Sequence, residues 1–273
     1  MRAKGLTLIE MIIAAVVGVA ILALVAAGLR SGSESLRFVQ NAQLLTEDLR
    51  NAGNLVSDLV ATAAFVYPPG VTLSIGTPGG YTVRNPSRSD NLWRIGRDPA
   101  IALLQPPTVV DGQEVVRFVM VYPLNRGWVV RRASGAENPG PDPANDGKWL
   151  LYIYERNLPV GASRLPNGLP TTIPTEIPGS SGNLLADYLQ PGGFVVAYSD
   201  CLAFDEAGWA VQAPCPQSPP TPLRAEHSAV RVSFSLQGEV HQGGRDTRIP
   251  GQPLRFEAAP RNLPKRQAEV SPN

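Results

Sequence analysis

Apolar residues and glycine fill every position from Met11 to Leu29, a run of nineteen. About 20 apolar residues cross a ~30 Å hydrocarbon core as a helix. Leu6, Leu8 and Ile9 extend the run, so the pattern predicts a transmembrane helix. From Leu36 to about Val66 the pattern changes. Phe38, Ala42, Leu45, Leu49, Ala52, Val56, Leu59 and Ala63 recur at alternating steps of four and three. They form one stripe of an amphipathic helix, which Leu36, Val39, Leu55 and Val60 widen. Arg37, Gln40, Gln43, Glu47, Arg50, Asn54 and Asp58 line the opposite face. The stripe is expected to pack on the rest of the chain rather than form a free coiled-coil stalk, because it runs straight into Pro68-Pro69 and strand-like sequence. Gly28, Gly32 and Gly53 are places where this helix can bend.

Beyond Pro68 the period shortens. Val115–Tyr122 is apolar except for Arg117 and suits a strand buried on both faces. Trp149–Arg156, Phe194–Ser199 and the cleanly alternating Val230–Gln237 also read as strands, and Leu254, Phe256 and Ala258 continue in the same way. Weaker candidates are Tyr81–Arg84, Leu92–Ile95, Trp128–Arg132 and Trp209–Gln212. No helical pattern of useful length separates them, so antiparallel pairing is expected. Proline- and glycine-rich stretches at Pro139–Gly147, Pro159–Gly182 and Pro214–Pro222 read as surface loops. The predicted class is α+β: a long N-terminal helix, its first half transmembrane, packed on an antiparallel sheet.

Composition sharpens the division. All 27 prolines lie at or after Pro68, none in the first 67 residues. The net charge of +1 argues against a protein drawn to polyanions by bulk charge. Two cysteines and two histidines exclude a four-cysteine zinc site and make a histidine-rich metal site improbable. No phosphate-binding Gly-x-x-x-x-Gly-Lys loop or Gly-x-Ser-x-Gly nucleophile elbow occurs. His227 and His241 fall in turn or strand-edge sequence, and no catalytic triad has visible support. No enzymatic role and no cofactor is therefore expected.

Arg2 and Lys4 precede the apolar run, which orients the N-terminus toward the cytoplasm and places residues 31–273 outside it. A cleaved secretory signal would have a shorter apolar region followed by small residues at its cut site. Here Ser31-Gly32-Ser33-Glu34-Ser35 leads into more helix, so a retained anchor in the cytoplasmic membrane is expected. Glu10 is the only ionisable residue between Gly5 and Arg30. A carboxylate at membrane depth costs several kcal/mol without a partner, which marks such residues as functional. From position alone, the other reading is a side chain that simply reaches the headgroups.

The string Gly5-Leu6-Thr7-Leu8-Ile9-Glu10, after a short basic leader and before a long apolar helix, resembles the type IV prepilin signal. The resemblance implies cleavage between Gly5 and Leu6 by a membrane peptidase, which also methylates the new amine of Leu6. Glu10 becomes the fifth mature residue, the position of the family's characteristic assembly glutamate. There it would meet the terminal amine of a neighbouring subunit, the cation that a buried carboxylate needs. The family's usual first mature residue is phenylalanine; Leu6 stands there instead. Leu44-Leu45-Thr46-Glu47-Asp48-Leu49-Arg50-Asn51-Ala52-Gly53 is similar to the helix of W-type minor pilins and J-type pseudopilins, and Leu254–Asn262 resembles the closing strand and Arg-Asn pair of the W type. The implied layout is a leader at 1–5, a membrane and filament-core helix at 6–29, its amphipathic continuation at 30–66, a β-rich extracytoplasmic head at 67–264 and a polar tail at 265–273. The implied partners are a prepilin peptidase/methyltransferase, other pilin subunits, an assembly platform with its ATPase, and the cytoplasmic membrane. A secretion pseudopilin, or a single-span binding ectodomain, remains the alternative.

Cys201 and Cys215 lie 14 residues apart in a segment placed outside the cytoplasm, where a disulfide is favoured; the other reading is two unpaired thiols. Many pilins carry a disulfide-bounded loop late in the head, and the pair resembles it in placement. Asp142, Asn145 and Asp146 offer oxygens suited to Ca²⁺, but their spacing departs from an EF-hand and fits ordinary turn chemistry. Arg84, Arg88, Arg94 and Arg97 near Trp93, and Arg255, Arg261, Lys265 and Arg266 near the end, form two basic clusters that could touch DNA phosphates.

Overall fold

The apolar and amphipathic patterns join into one helix. In the computed structural model, which describes residues 8–77, 80–161, 165, 168–179, 182–216, 218 and 221–263, α1 runs over Leu8–Thr62 without a break. It ends four residues earlier than its periodicity suggests. The next apolar residues, Phe65–Val66, form β1 and pair with Leu104 and Leu103. The last carbonyls of a helix have no intrahelical partner, and here the sheet and the closing segment supply donors. Gln105 Nε2 donates to Leu59 O (3.0 Å), Arg261 N to Ala61 O (3.0 Å), and Asn262 Nδ2 to Thr62 O (2.8 Å).

The remaining strands are β2 Thr72–Ile75, β3 Leu92–Arg94, β4 Ile101–Leu104, β5 Thr108–Val110, β6 Gln113–Asn125, β7 Trp149–Pro159, β8 Glu176–Ile177, β9 Gly182–Phe204, β10 Ala210–Pro214, β11 Ala229–Gln242 and β12 Arg245–Ala258. A nine-stranded sheet runs β1-β4-β6-β7-β9-β11-β12, with β5 added to β6 and β10 to β9. All its pairings are antiparallel, as the alternating patterns predict. A second sheet, β3-β2-β8, contains one parallel pair, β2 with β8. The helix followed by a large antiparallel sheet is an α+β layout.

Both faces of the central strands are buried, which is why β6 lacks alternation. Val116, Phe118, Met120, Tyr122 and Leu124 face a core shared with Trp93, Leu73 and Ile75. Val119 and Val121, on the other side of the same strand, are equally buried. The stripe Leu45, Leu49, Ala52, Val56, Leu59 and Ala63 is buried as its spacing requires, together with Val60, whereas Leu55 is 44% exposed. Two glycines set how closely this part of α1 meets the sheet. A Cβ on Gly53 would lie 2.1 Å from the ring of Phe256 on β12. One on Gly238 of β11 would lie 3.0 Å from Leu49 Cδ1 and 3.1 Å from Leu45 Cδ2. Gly53 is thus a packing position rather than a bend.

Three expectations are corrected. The stretch Pro159–Gly182 is more than a surface loop: Leu165, Leu169, Ile173 and Ile177 plug the core face of the large sheet. Each provides an apolar side chain that the strands alone leave uncovered. Trp128–Arg132 is not a strand. Arg126–Val130 forms a short helix, α2, because Asn125 Oδ1 accepts the Trp128 N–H (2.9 Å) as an N-cap. Tyr81–Arg84 likewise forms turns.

Candidate functional site

The N-terminal segment of α1 is apolar on every side. Leu8, Met11, Val16, Leu22 and Leu24 are each at least 60% exposed, although they are spread right around the helix. A helix apolar all round is stable only where something other than water covers it. The segment is long and apolar enough to span a membrane. Glu10 falls in the first turn of this helix. Gly5 and Leu6, the residues of the expected cleavage, lie outside the described residues.

In the β-rich part, Cys201 on β9 and Cys215 just past β10 are joined in a disulfide. The hairpin register already sets Ala213 opposite Cys201, so the bond fastens the end of β10 to its partner strand. Closing a loop of this length removes denatured-state entropy worth about 3 kcal/mol. Cys215→Ser is expected to lower stability by about that amount, read as a shift in the urea midpoint; a shift under ~1 kcal/mol would mean the strand pairing alone holds the loop.

Asp142 and Asn145, two of the three residues considered for Ca²⁺, already accept hydrogen bonds from the protein, and Asp146 has cations beside it. Asp142 Oδ2 accepts from Asn145 Nδ2 (2.8 Å) and from the Tyr188 hydroxyl (3.2 Å). Asn145 Oδ1 accepts from His241 N (2.7 Å), and Asp146 sits beside Arg126 (3.7 Å) and Arg131 (3.8 Å). These contacts explain the residues as turn and strut chemistry. Among the described residues no group of three or more His, Cys, Asp or Glu side chains could hold a metal ion.

The first basic cluster disperses on folding. Trp93 is fully buried, with Nε1 donating to Val83 O (3.0 Å), so it is unavailable for stacking on a base. Arg88 is spent on Asp98 (2.9 Å) and Asp90 (3.4 Å). Arg84 lies over the ring of Trp128, and Arg94 and Arg97 remain exposed. In the second cluster Arg255 and Arg261 are exposed, and Lys265 and Arg266 lie outside the described residues. His227 accepts the Arg224 N–H at Nδ1 (3.0 Å) within a 3-10 turn, and burial lowers its pKa.

Two charged networks were invisible in the sequence. Arg126 is buried to 1% exposure and donates from Nε to both oxygens of Asp187 (3.0 and 3.1 Å) and from Nη2 to Gly140 O (3.0 Å). Burial pushes the Asp187 carboxyl up, and the Arg126 guanidinium draws it back only in part. Lys148 ties β7 to the β11–β12 hairpin through Glu239 and Asp246 (2.8 Å). Burial lowers the Lys148 pKa, but its hydrogen bonds to Asp246 and Glu239 outweigh this and leave it raised. Both pairs join residues far apart in the chain, and nothing in the local pattern distinguishes their members from surface charges.

No protein-family model matches the chain, and neither a curated protein nor a solved structure matches it.

Proposed function

We propose that the chain is a structural subunit of a type IV pilus, a minor pilin. The observation that carries this reading is the Gly5–Glu10 string set directly ahead of a helix apolar on all sides. The sequence of parts supports it: one uninterrupted helix, a large antiparallel sheet packed on its second half, and a disulfide late in the head. On this reading the protein waits in the cytoplasmic membrane with its N-terminus inside. A prepilin peptidase removes residues 1–5 and methylates Leu6. The platform and its ATPase then draw the helix from the lipid into a filament core, where it packs among other pilins. Its all-round apolar surface suits both surroundings, so the transfer exposes little of it to water. Glu10 neutralises the amine of a neighbouring subunit and sets the axial register, while the head faces outward. The Leu44–Gly53 string is equally similar to the pseudopilins of secretion systems, which would work in the same way.

The test is the intact mass and N-terminal peptide of the protein from native membranes. The expected product begins at Leu6 and carries one added methyl group. An uncut Met1, or a cut beyond the apolar run, would sink the reading and make the protein an anchored or secreted ectodomain.

A further inference from the structure

One aromatic side chain in the head holds two cations. The guanidinium of Arg84 lies 3.6 Å from the ring centroid of Trp128, and that of Arg132 lies 3.3 Å from it. Neither arginine has an ion pair with a carboxylate among the described residues. Elsewhere in the head Arg88, Arg126, Arg131 and Arg231 all have one. The arrangement is held by rigid surroundings. Arg84 is flanked by Val83 and Asn85, both buried, and Asn85 Nδ2 donates to Leu92 O (3.2 Å). Arg132 N donates to Val129 O (2.9 Å), and Asn138 Nδ2 donates to Val130 O and Ala133 O (both 2.9 Å), which fixes the turn that follows α2.

The stack opens on a cavity of about 200 Å³ lined by Arg84, Pro86, Ser89, Asn125, Trp128 and Trp149. A guanidinium lying flat on an indole still has its N–H edge, the part that grips an oxyanion. Asn125 adds direction: its Oδ1 is committed to the Trp128 N–H, which makes the other end of the amide the donor. Ser89 supplies a hydroxyl at the rim. The site thus combines one cation without a carboxylate partner among the described residues, Arg84, with amide and hydroxyl groups and a volume too small for a folded partner, while Arg132 backs the other face of the Trp128 ring outside the lining.

We infer that this cavity binds an oxyanion, a carboxylate or phosphate, on a small sugar-sized carrier. The anion meets Arg84, and Asn125 and Ser89 serve the hydroxyls beside it. The inference does not depend on how the N-terminus is processed. It is tested on the full chain in detergent micelles by following the indole N–H resonances of the four tryptophans during titration. The probes are glucuronate, glucose 6-phosphate, inorganic phosphate and glucose. The expected result is a saturable shift of the Trp128 signal with glucuronate or glucose 6-phosphate, weaker at higher ionic strength. Losing one charge-assisted contact corresponds to about tenfold in affinity, so Arg84→Gln should weaken binding by at least that factor, whereas Arg132→Gln, outside the lining, should weaken it less. The buried Trp93 signal, unchanged in both variants, reports that the head still folds. Preference for the uronate over the phosphate, or the reverse, identifies which oxyanion the site takes. An equal response to glucose, a response that survives Arg84→Gln, or a response to inorganic phosphate alone that does not saturate would overturn the inference.

Discussion

Glu10→Ala is expected to abolish filament assembly while processed protein accumulates in the membrane at close to its normal level. The two outcomes separate because cleavage and assembly ask different things of the residue. On the proposed reading the peptidase acts at the Gly5–Leu6 bond, before the apolar run begins, and alanine at position 10 leaves the residues of that bond unchanged. Assembly, on the same reading, would bring the N-terminus of one subunit against the helix of another in surroundings with a low dielectric constant. There an unpaired ammonium is strongly unfavourable, and its removal from water is offset only by a nearby carboxylate. Glu10 is the only acid in the apolar segment, so no other side chain of that segment can take its place. Glu10→Gln should fail as well, since it keeps shape and hydrogen bonding but lacks the charge. The comparison is made by counting sheared filaments and by immunoblotting membranes for the shortened form. Normal filaments from both variants would remove the charge-pairing mechanism and leave Glu10 an incidental polar residue near the headgroups.

Asp187→Ala is expected to destabilise the head by about 3–5 kcal/mol, the range found when one partner of a buried ion pair is removed. Arg126 is nearly inaccessible, and its guanidinium cannot swing into water without dismantling the start of α2. Asp146 is no substitute. It stands 3.7 Å from Arg126 Nη1, and neither that nitrogen nor Asp146 Oδ1 completes a hydrogen bond. The Tyr188 ring, 5.0 Å from the guanidinium, offers only a weak cation–π contact. The pair itself adds little net stability, because taking both charges out of water offsets much of their attraction. Its loss is costly because it strands a charge. Urea unfolding followed by tryptophan fluorescence measures the difference, and Arg126→Met combined with Asp187→Leu should recover most of it. Asp200→Ala is the control. Arg231 is half-exposed and also has Glu257 at 3.4 Å, so that change should cost under ~1 kcal/mol.

The parts of the fold legible in the sequence are those where one period runs undisturbed. The 55 residues of α1 contain no proline, and their apolar spacing shifts from continuous to amphipathic without a break. β6, β7 and β11 carry the β-branched and aromatic runs that strands favour. The stretches of strand that were missed, among them the first part of β9 and the first part of β12, are short or contain residues that usually end strands. β9 passes through Pro191-Gly192-Gly193, where the chain shifts its pairing from β7 to β11. β12 tolerates Pro250 and Pro253 because it lies at the edge of the sheet, where a missing N–H removes fewer ladder bonds. α2 was misread because Trp128-Val129-Val130 has strand propensity, and a single local hydrogen bond from Asn125 overrides it. The disulfide was legible because the chain has only two cysteines. The Arg126–Asp187 pair was not, since 61 residues separate its members and the topology alone unites them.

The donors that close α1 carry a consequence for biogenesis. The Asn262 amide that caps Thr62 O lies 200 residues downstream of it, and the Arg261 N–H that caps Ala61 O is its neighbour. A ribosome has therefore delivered nearly all of the head before the helix can be sealed, and by then its first strand, β1, has long since emerged. Contacts that distant are slow to form, because the chain must first give up the entropy of a very long loop. The head completes its folding only once this closing segment has left the ribosome, and until then its apolar strands need protection from one another.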